Sequence, residues 1–187
     1  MNNSTLPAGI ERVLFTEDEV QARIREVGAA ISEKYRGREL KLIGVLKGSV
    51  FFLTALARAI EIPLKIDFLG ISSFSTQSNA PGLVRIAKDL DESIQDENVL
   101  LVEDIVDTGF TARYLLQTLA SRSPNSLSVC TLLDRTSRRL VQVPVEFRCF
   151  EIPDRFVVGF GLDYHQLYRN LGYIAVMNPA TMTQGPA

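Results

Sequence analysis

Four consecutive apolar residues, Val99-Leu100-Leu101-Val102, run directly into Glu103 and Asp104, with Asp107 following. A strand that alternates apolar and polar residues covers one face. A strand apolar at every position has to be covered on both, as in parallel sheets layered between helices. The surrounding sequence supports that arrangement. Thr16 and Glu19 form a capping box, and Val20, Ile24, Val27, Ile31 and Tyr35 follow at helical spacing, with Gly37 where a helix stop is expected. Leu40 to Leu46 reads as a strand, Ser49 to Ile60 as a helix opened by Ser49, and Leu64 to Ile71 as the next strand. Further strands are expected at 84–90, 99–102, 127–133, 145–150, 156–159 and 174–177, with a helix over 111–120. Strands alternating with helices predict an α/β fold: a mostly parallel twisted sheet flanked by helices.

The chain has 187 residues, enough for one domain with a substantial core, and no internal repeat or linker divides it. Residues 1–187 are therefore expected to form one domain. Its last ten residues, NPATMTQGPA (178–187), are expected to fray. The stretch SSFSTQSNAPG (72–82) is small, polar and closed by Pro81-Gly82, which predicts a loop. Twenty basic and 22 acidic side chains leave a net charge of −2, arguing against a general nucleic-acid or anionic-membrane binder. Cys130 and Cys149 lie in apolar contexts and are expected to be free buried thiols. MNNSTLPAGIERVLF has no basic stretch followed by an apolar run, so no signal peptide is expected. The most apolar segment, 49–57, is far short of a membrane span. A cytoplasmic location is expected.

In open parallel sheets, ligands bind beyond the carboxyl ends of the strands. The run 99–102 delivers Glu103, Asp104 and Asp107 to that edge. The next turn, Asp107-Thr108-Gly109-Phe110-Thr111, opens a helix whose free N–H groups and dipole suit a phosphate. Gly109 lets the backbone approach that anion closely. Acids that would repel a phosphate thus stand directly before a loop that would bind one. A ligand with hydroxyls (or a divalent cation) at one end and a phosphate at the other satisfies both, and a ribose 5-phosphate has that shape. The plainer alternative is that Glu103 and Asp104 are solvated loop acids and Asp107 merely caps the helix. Neither a Walker A loop nor a GxGxxG is present.

The stretch VLLVEDIVDTGFT resembles the phosphoribosyl-pyrophosphate motif of the type I phosphoribosyltransferases, in the form closest to the hypoxanthine-guanine phosphoribosyltransferases. Three more motifs follow that family's order: Gly44-Val-Leu-Lys-Gly-Ser49, the Ser72-Ser73-Phe74 loop, and IPDRFVVGFGLDY (152–164) followed by Tyr168-Arg169. The resemblance implies transfer of a phosphoribosyl group from phosphoribosyl pyrophosphate to hypoxanthine or guanine, on a type I fold with a small hood or lid region. It implies that Glu103 and Asp104 hold the ribose hydroxyls and that Asp107 faces N7 of the purine as general acid/base. Thr108, Gly109, Phe110 and Thr111 would surround the 5-phosphate. Lys47, Gly48 and Arg169 would receive pyrophosphate, with a non-proline cis peptide in the Lys47-Gly48 loop. Asp163 matches a ligand of Mg²⁺, with Glu103 and Asp104 as further metal candidates. Phe156 would stack on the base, and backbone carbonyls near Val157 and Asp163 would read its N–H groups. Ser73 and Phe74 would belong to a lid over 72–82. A homodimer or homotetramer is implied too.

Two residues depart from the family pattern. The loop reads Ser73-Phe74 where serine-tyrosine is usual, losing a hydroxyl donor. Arg135 stands in LLDRTSRR where a lysine usually reaches the purine 6-oxo group. Alternatives are an RNA-binding regulator on the same fold, which would need a basic face that a net charge of −2 with no basic run argues against, and an enzyme for xanthine or adenine.

Overall fold

The computed structural model describes residues 6–73 and 84–182. Its main sheet has six strands in the order β4-β3-β2-β5-β6-β7: Val84–Lys88, Leu64–Ser73, Leu40–Leu46, Asn98–Val106, Ser126–Asp134 and Val145–Glu151. All neighbours are parallel except β3 and β4, so the expected mostly parallel sheet forms. The residues of β5 alternate between two cores. Leu100 and Val102 join the side chains of helices α1 (Glu17–Lys34) and α2 (Ser49–Ala59). Val99 and Leu101 join those of α3 (Phe110–Ala120). This accounts for the uninterrupted apolar run: each face of the strand meets a helix layer.

Local chemistry sets the helices. The capping box forms at Thr16 and Glu19, with the Glu19 amide donating to Thr16 Oγ1 at 3.3 Å and the Thr16 amide to Glu19 Oε2 at 2.8 Å. Val20, Ile24, Val27, Ile31 and Tyr35 are all buried. Ser49 does not cap α2: Gly48 holds that position, and Ser49 Oγ donates back to Val45 O at 2.7 Å. Cys130 and Cys149 are free and buried, and burial pushes the Cys149 thiol up to about 12.

A second, antiparallel sheet orders β1 (Ile10–Phe15), β9 (Ile174–Met177) and β8 (Val157–Val158). Sequence periodicity gave no strand at 10–15. Two register shifts against β9 leave β1 without clean alternation, which removes the pattern that would betray it. Other strands run longer than expected: β3 extends to Ser73, and β5 extends to Val106 because it stays paired with β6 as far as Val106↔Asp134. Asn178 caps a short 3₁₀ turn over Pro179–Thr181, so the tail's first residues are ordered here, while 183–187 lie outside the described residues. Ser72 and Ser73 pair with Arg85 and Val84, and the rest of the expected lid, Phe74 included, also lies outside them. Among the described residues no helix is long and apolar enough to cross a membrane.

Helices α1 and α2 meet at Gly28, where a built Cβ would lie 2.6 Å from Ala59 O. In an open helix, Gly→Ala is favourable by about 1 kcal/mol. Here backbone stands in the way, and overpacking costs about 1–3 kcal/mol. Gly28→Ala should therefore lower the melting temperature, a reversal of the propensity rule that thermal unfolding followed by circular dichroism will show.

Candidate active site

The chain runs outward from β2 through α2 to β3 and β4, then returns to β5 and runs the other way through α3 to β6 and β7. The sheet's topological switch point therefore falls between β2 and β5, where open α/β sheets bind ligands. Pairing of β2 with β5 ends at Gly44↔Val102, whereas β6 follows β5 to Val106. Past Val102 the two central strands part, and a cavity of about 340 Å³ opens between their ends. It gathers Lys47, Gly48, Glu103, Asp104, Asp107, Thr108, Gly109, Thr111, Asp163 and Arg169, which the sequence scatters over some 120 positions.

Glu103 and Asp104 are strand residues and not solvated loop acids. Glu103 is buried, with Oε1 lacking any hydrogen-bond partner, and burial followed by the Asp104 charge holds its carboxyl well above the usual range. Burial also raises Asp104 to about 6, while hydrogen bonds from the Ile105 and Asp104 amides and the Arg169 charge pull the other way. The Asp104 carboxyl lies directly against Gly48: a Cβ on Gly48 would fall 1.5 Å from Asp104 Oδ2. Gly161, at φ +101°, backs onto the same turn, its built Cβ 2.1 Å from Gly48 O. A non-proline cis peptide lies between Leu46 and Lys47, at the entry to the Lys47-Gly48 loop. Lys47 itself is exposed.

Asp107 does not cap α3. That position belongs to Gly109 (φ +92°), no side chain caps the helix, and its first turn holds no acid. The amides at this end thus remain open to an anion. Asp107 Oδ1 is buried without a partner, whereas Oδ2 accepts from Arg135 Nη1 at 3.2 Å. Arg135 is itself buried, donates Nη2 to Arg155 O at 2.6 Å, and leaves Nε unpartnered. Arg138 Nη1 stands 3.7 Å from Asp107 Oδ2.

On the far wall Arg169 pairs with Asp163 at 2.5 Å and donates to Gly161 O at 2.6 Å, and Asp163 also accepts from the Gln166 amide at 2.8 Å. Phe156, Val157 and Arg135 lie beside the cavity and not on its wall. Phe156 is 41% exposed, its ring edge-on to Tyr164 at 5.8 Å, so it is not the core residue its apolar strand suggests; Val157 is buried in β8. Phe110 is 53% exposed and off the cavity wall, which leaves only its backbone to serve the site. His165 is exposed.

Sequence reasoning missed Asp134, Arg138, Arg139 and Arg148. Buried Asp134 pairs with Arg139 and accepts from Arg148 at 3.0 Å, and Arg139 reaches the backbone of Asp107. The available clue was three arginines within five residues, 135–139, after a strand end at the same sheet edge. A larger concavity of about 690 Å³ on α1 and α2 is lined by Ile24, Arg25, Phe51, Arg58 and Phe160 but by no acid, so it offers no proton-transfer or metal chemistry.

The phosphoribosyl transferase domain model matches residues 16–165. The chain is 46% identical over 184 residues to the hypoxanthine-guanine phosphoribosyltransferase of Mycobacterium avium, covering 95% of this chain and 91% of that one. It is 49% identical over 165 residues to the hypoxanthine phosphoribosyltransferase of Haemophilus influenzae, covering 87% and 92%. A solved hypoxanthine phosphoribosyltransferase from Staphylococcus aureus superposes with a TM-score of 0.91 at 40% identity, over 98% of this chain and 100% of that one.

The raised carboxyls have a measurable cost. Asp104 ionises near 3.8 in a model peptide and near 6 in the fold, so between those values the folded chain holds a proton that the unfolded chain releases. Stability contributed by the protonated group is therefore lost as pH rises through this window. In chelator and without ligand, Asp104→Asn should be more stable than the parent by up to about 3 kcal/mol near pH 8. Denaturant titrations should show that difference closing below about pH 4, where both Asp104 states are protonated. An equal difference at both pH values would refute the burial effect.

Proposed function

The chain belongs to the phosphoribosyl transferase domain family, and from that premise we propose that it transfers the 5-phosphoribosyl group of phosphoribosyl pyrophosphate to hypoxanthine or guanine, giving IMP or GMP and pyrophosphate in purine salvage. The observation that carries this reading is the single cavity at the switch point, with buried acids at one end and an uncapped helix N-terminus at the other. The identities to hypoxanthine and hypoxanthine-guanine phosphoribosyltransferases, each spanning most of both chains, support the purine.

Each residue then has a role. Carboxylates accept but do not donate, so Glu103 and Asp104 suit the ribose hydroxyls. The amides of 107–111 and the hydroxyls of Thr108 and Thr111 take the 5-phosphate. As purine N9 bonds to C1′ and the bond from C1′ to pyrophosphate breaks, Asp107 accepts the proton from N7. Positive charge developing on the ribose is stabilised by the acids below it. Phe156 gives the base a stacking face, and the carbonyls of Val157 and Asp163 accept its N–H groups. Arg135 holds Asp107 with one nitrogen, and its guanidinium is the donor that would read the 6-oxo group. Lys47, Gly48 and Arg169 receive pyrophosphate.

The acids fit a magnesium ion. Mg²⁺ takes one or two carboxylates and completes its shell with water and substrate phosphates. Among the described residues no group of three acids, histidines or cysteines is gathered to hold a metal alone, which suits an ion that arrives with its phosphates. Glu103 carries a buried oxygen with no partner, an atom that a cation would satisfy. Asp163, with one of Glu103 and Asp104, would hold Mg²⁺, which would supply charge neutralisation for the departing pyrophosphate. In this reading the protein works in the cytoplasm as a homodimer or homotetramer.

The test is a panel of hypoxanthine, guanine, xanthine and adenine with donor and magnesium, measuring nucleotide formed. IMP and GMP should appear, AMP should fall short by about 10⁴ because the site's donor opposes a 6-amino group, and chelator should abolish turnover. Preference for xanthine or adenine would overturn the base assignment, and no nucleotide from any base would overturn the reaction.

A further inference from the structure

We infer that Arg139 is a positioning residue: clamped by Asp134, it turns the peptide units of 106–108 so that their amides face the phosphate end of the cavity. Reading that end as the seat of a 5-phosphate rests on the function proposed above.

Backbone direction at 106–108 departs from that of a strand. In an extended strand successive carbonyls point to alternate sides, but here three in a row are taken by one segment, residues 135–141. Val106 O accepts from the Arg135 amide at 3.0 Å and from Arg139 Nη2 at 3.3 Å. Asp107 O accepts from Arg139 Nε at 3.0 Å. Thr108 O accepts from the amides of Leu140 at 2.9 Å and Val141 at 3.1 Å. These peptides are trans, so each N–H points opposite to its carbonyl. The amides of Asp107, Thr108 and Gly109 are thereby aimed away from the 135–141 segment, on the side where these residues line the cavity. Successive amides aimed one way form an anion-binding concavity. Among the described residues the amides of Thr108 and Gly109 donate to no protein group.

Of the five carbonyl contacts, only the two from Arg139 come from a side chain, and Asp107 O has no other. Arg139 is in turn fixed. Its Nη2 pairs with Asp134, a buried carboxylate whose other oxygen accepts from Arg148 at 3.0 Å. Its Cδ lies 2.9 Å from a Cβ built on Gly109, and Val141 O lies 2.4 Å from it, so the arginine stem and the segment's backbone close the loop from behind. Asp134 balances the charge of Arg139, so the effect on the loop is orientation more than added positive potential. The planar guanidinium matters because Nε and Nη2 reach adjacent carbonyls together, which a lysine ammonium does less well.

The experiment titrates ¹⁵N-labelled parent and Arg139→Met with inorganic phosphate and then IMP, following the Thr108 and Gly109 amides, and measures the donor KM of both. In the parent these two resonances should shift on saturation. In Arg139→Met, phosphate and IMP should bind about tenfold more weakly, the size of one lost hydrogen bond. The donor KM should rise in step while the hypoxanthine KM stays within about twofold. Arg139→Lys should recover part of the loss, and it carries the same comparison if Arg139→Met does not fold. Parent amides indifferent to phosphate, or folded variants within about twofold of the parent in phosphate affinity, would overturn the inference. Amides that respond as expected in a parent that makes no nucleotide would leave the cradle standing and refute the proposed reaction instead.

Discussion

Strand β5 loses its neighbour on one side after Val102 and keeps the other to Val106, and the site depends on this asymmetry. A strand paired on both sides to its end would bring Glu103 and Asp104 into a closed ladder with no room beside them. Free on both sides, the segment would be a loop, and its acids would sit in water at ordinary pKa values. One-sided pairing holds the acids on a rigid element while opening the space they face. Burial then raises both carboxyls, so the fold keeps groups that oppose its own stability near neutral pH. A layered core on both faces of the sheet offsets that opposition.

The walls are set by close approach more than by side-chain reach. Gly48 leaves space for the Asp104 carboxyl, and Gly161 leaves space for the Gly48 carbonyl. Three chain segments from different elements thus converge where side chains would keep them apart. Gly109 does the same between α3 and the 135–141 segment. These contacts tie β2's end, β5's end and the 161–169 loop into one unit, and Arg169 joins it through Gly161 O and Asp163.

Much of this was legible in the sequence because it follows from periodicity or adjacency. The helical stripe from Val20 to Tyr35, the capping box at Thr16 and the both-faces burial of 99–102 are local patterns, and each formed. The acids and the glycine turn of 103–111 are contiguous, so their convergence needed no tertiary knowledge. What escaped was set by partners distant in sequence. β1 lacks alternation because its register slips twice against β9. Glu103 and Asp104 looked like loop residues because pairing to β6 cannot be read from composition. Ser49 looked like a cap, yet Val45 O lay within its reach. Arg135 was read toward a ligand, while its contact with Asp107 and the whole Asp134–Arg139 arrangement needed the β6 end in place first.

In the proposed reaction one ligand spans the acids and the glycine turn. A crystal structure of the protein with IMP bound tests it most directly. The 5-phosphate should lie on the amides of 107–111, the ribose hydroxyls at Glu103 and Asp104, and N7 at Asp107. A phosphate seated instead at Lys47 and Arg169, or a ribose turned away from the two acids, would contradict it.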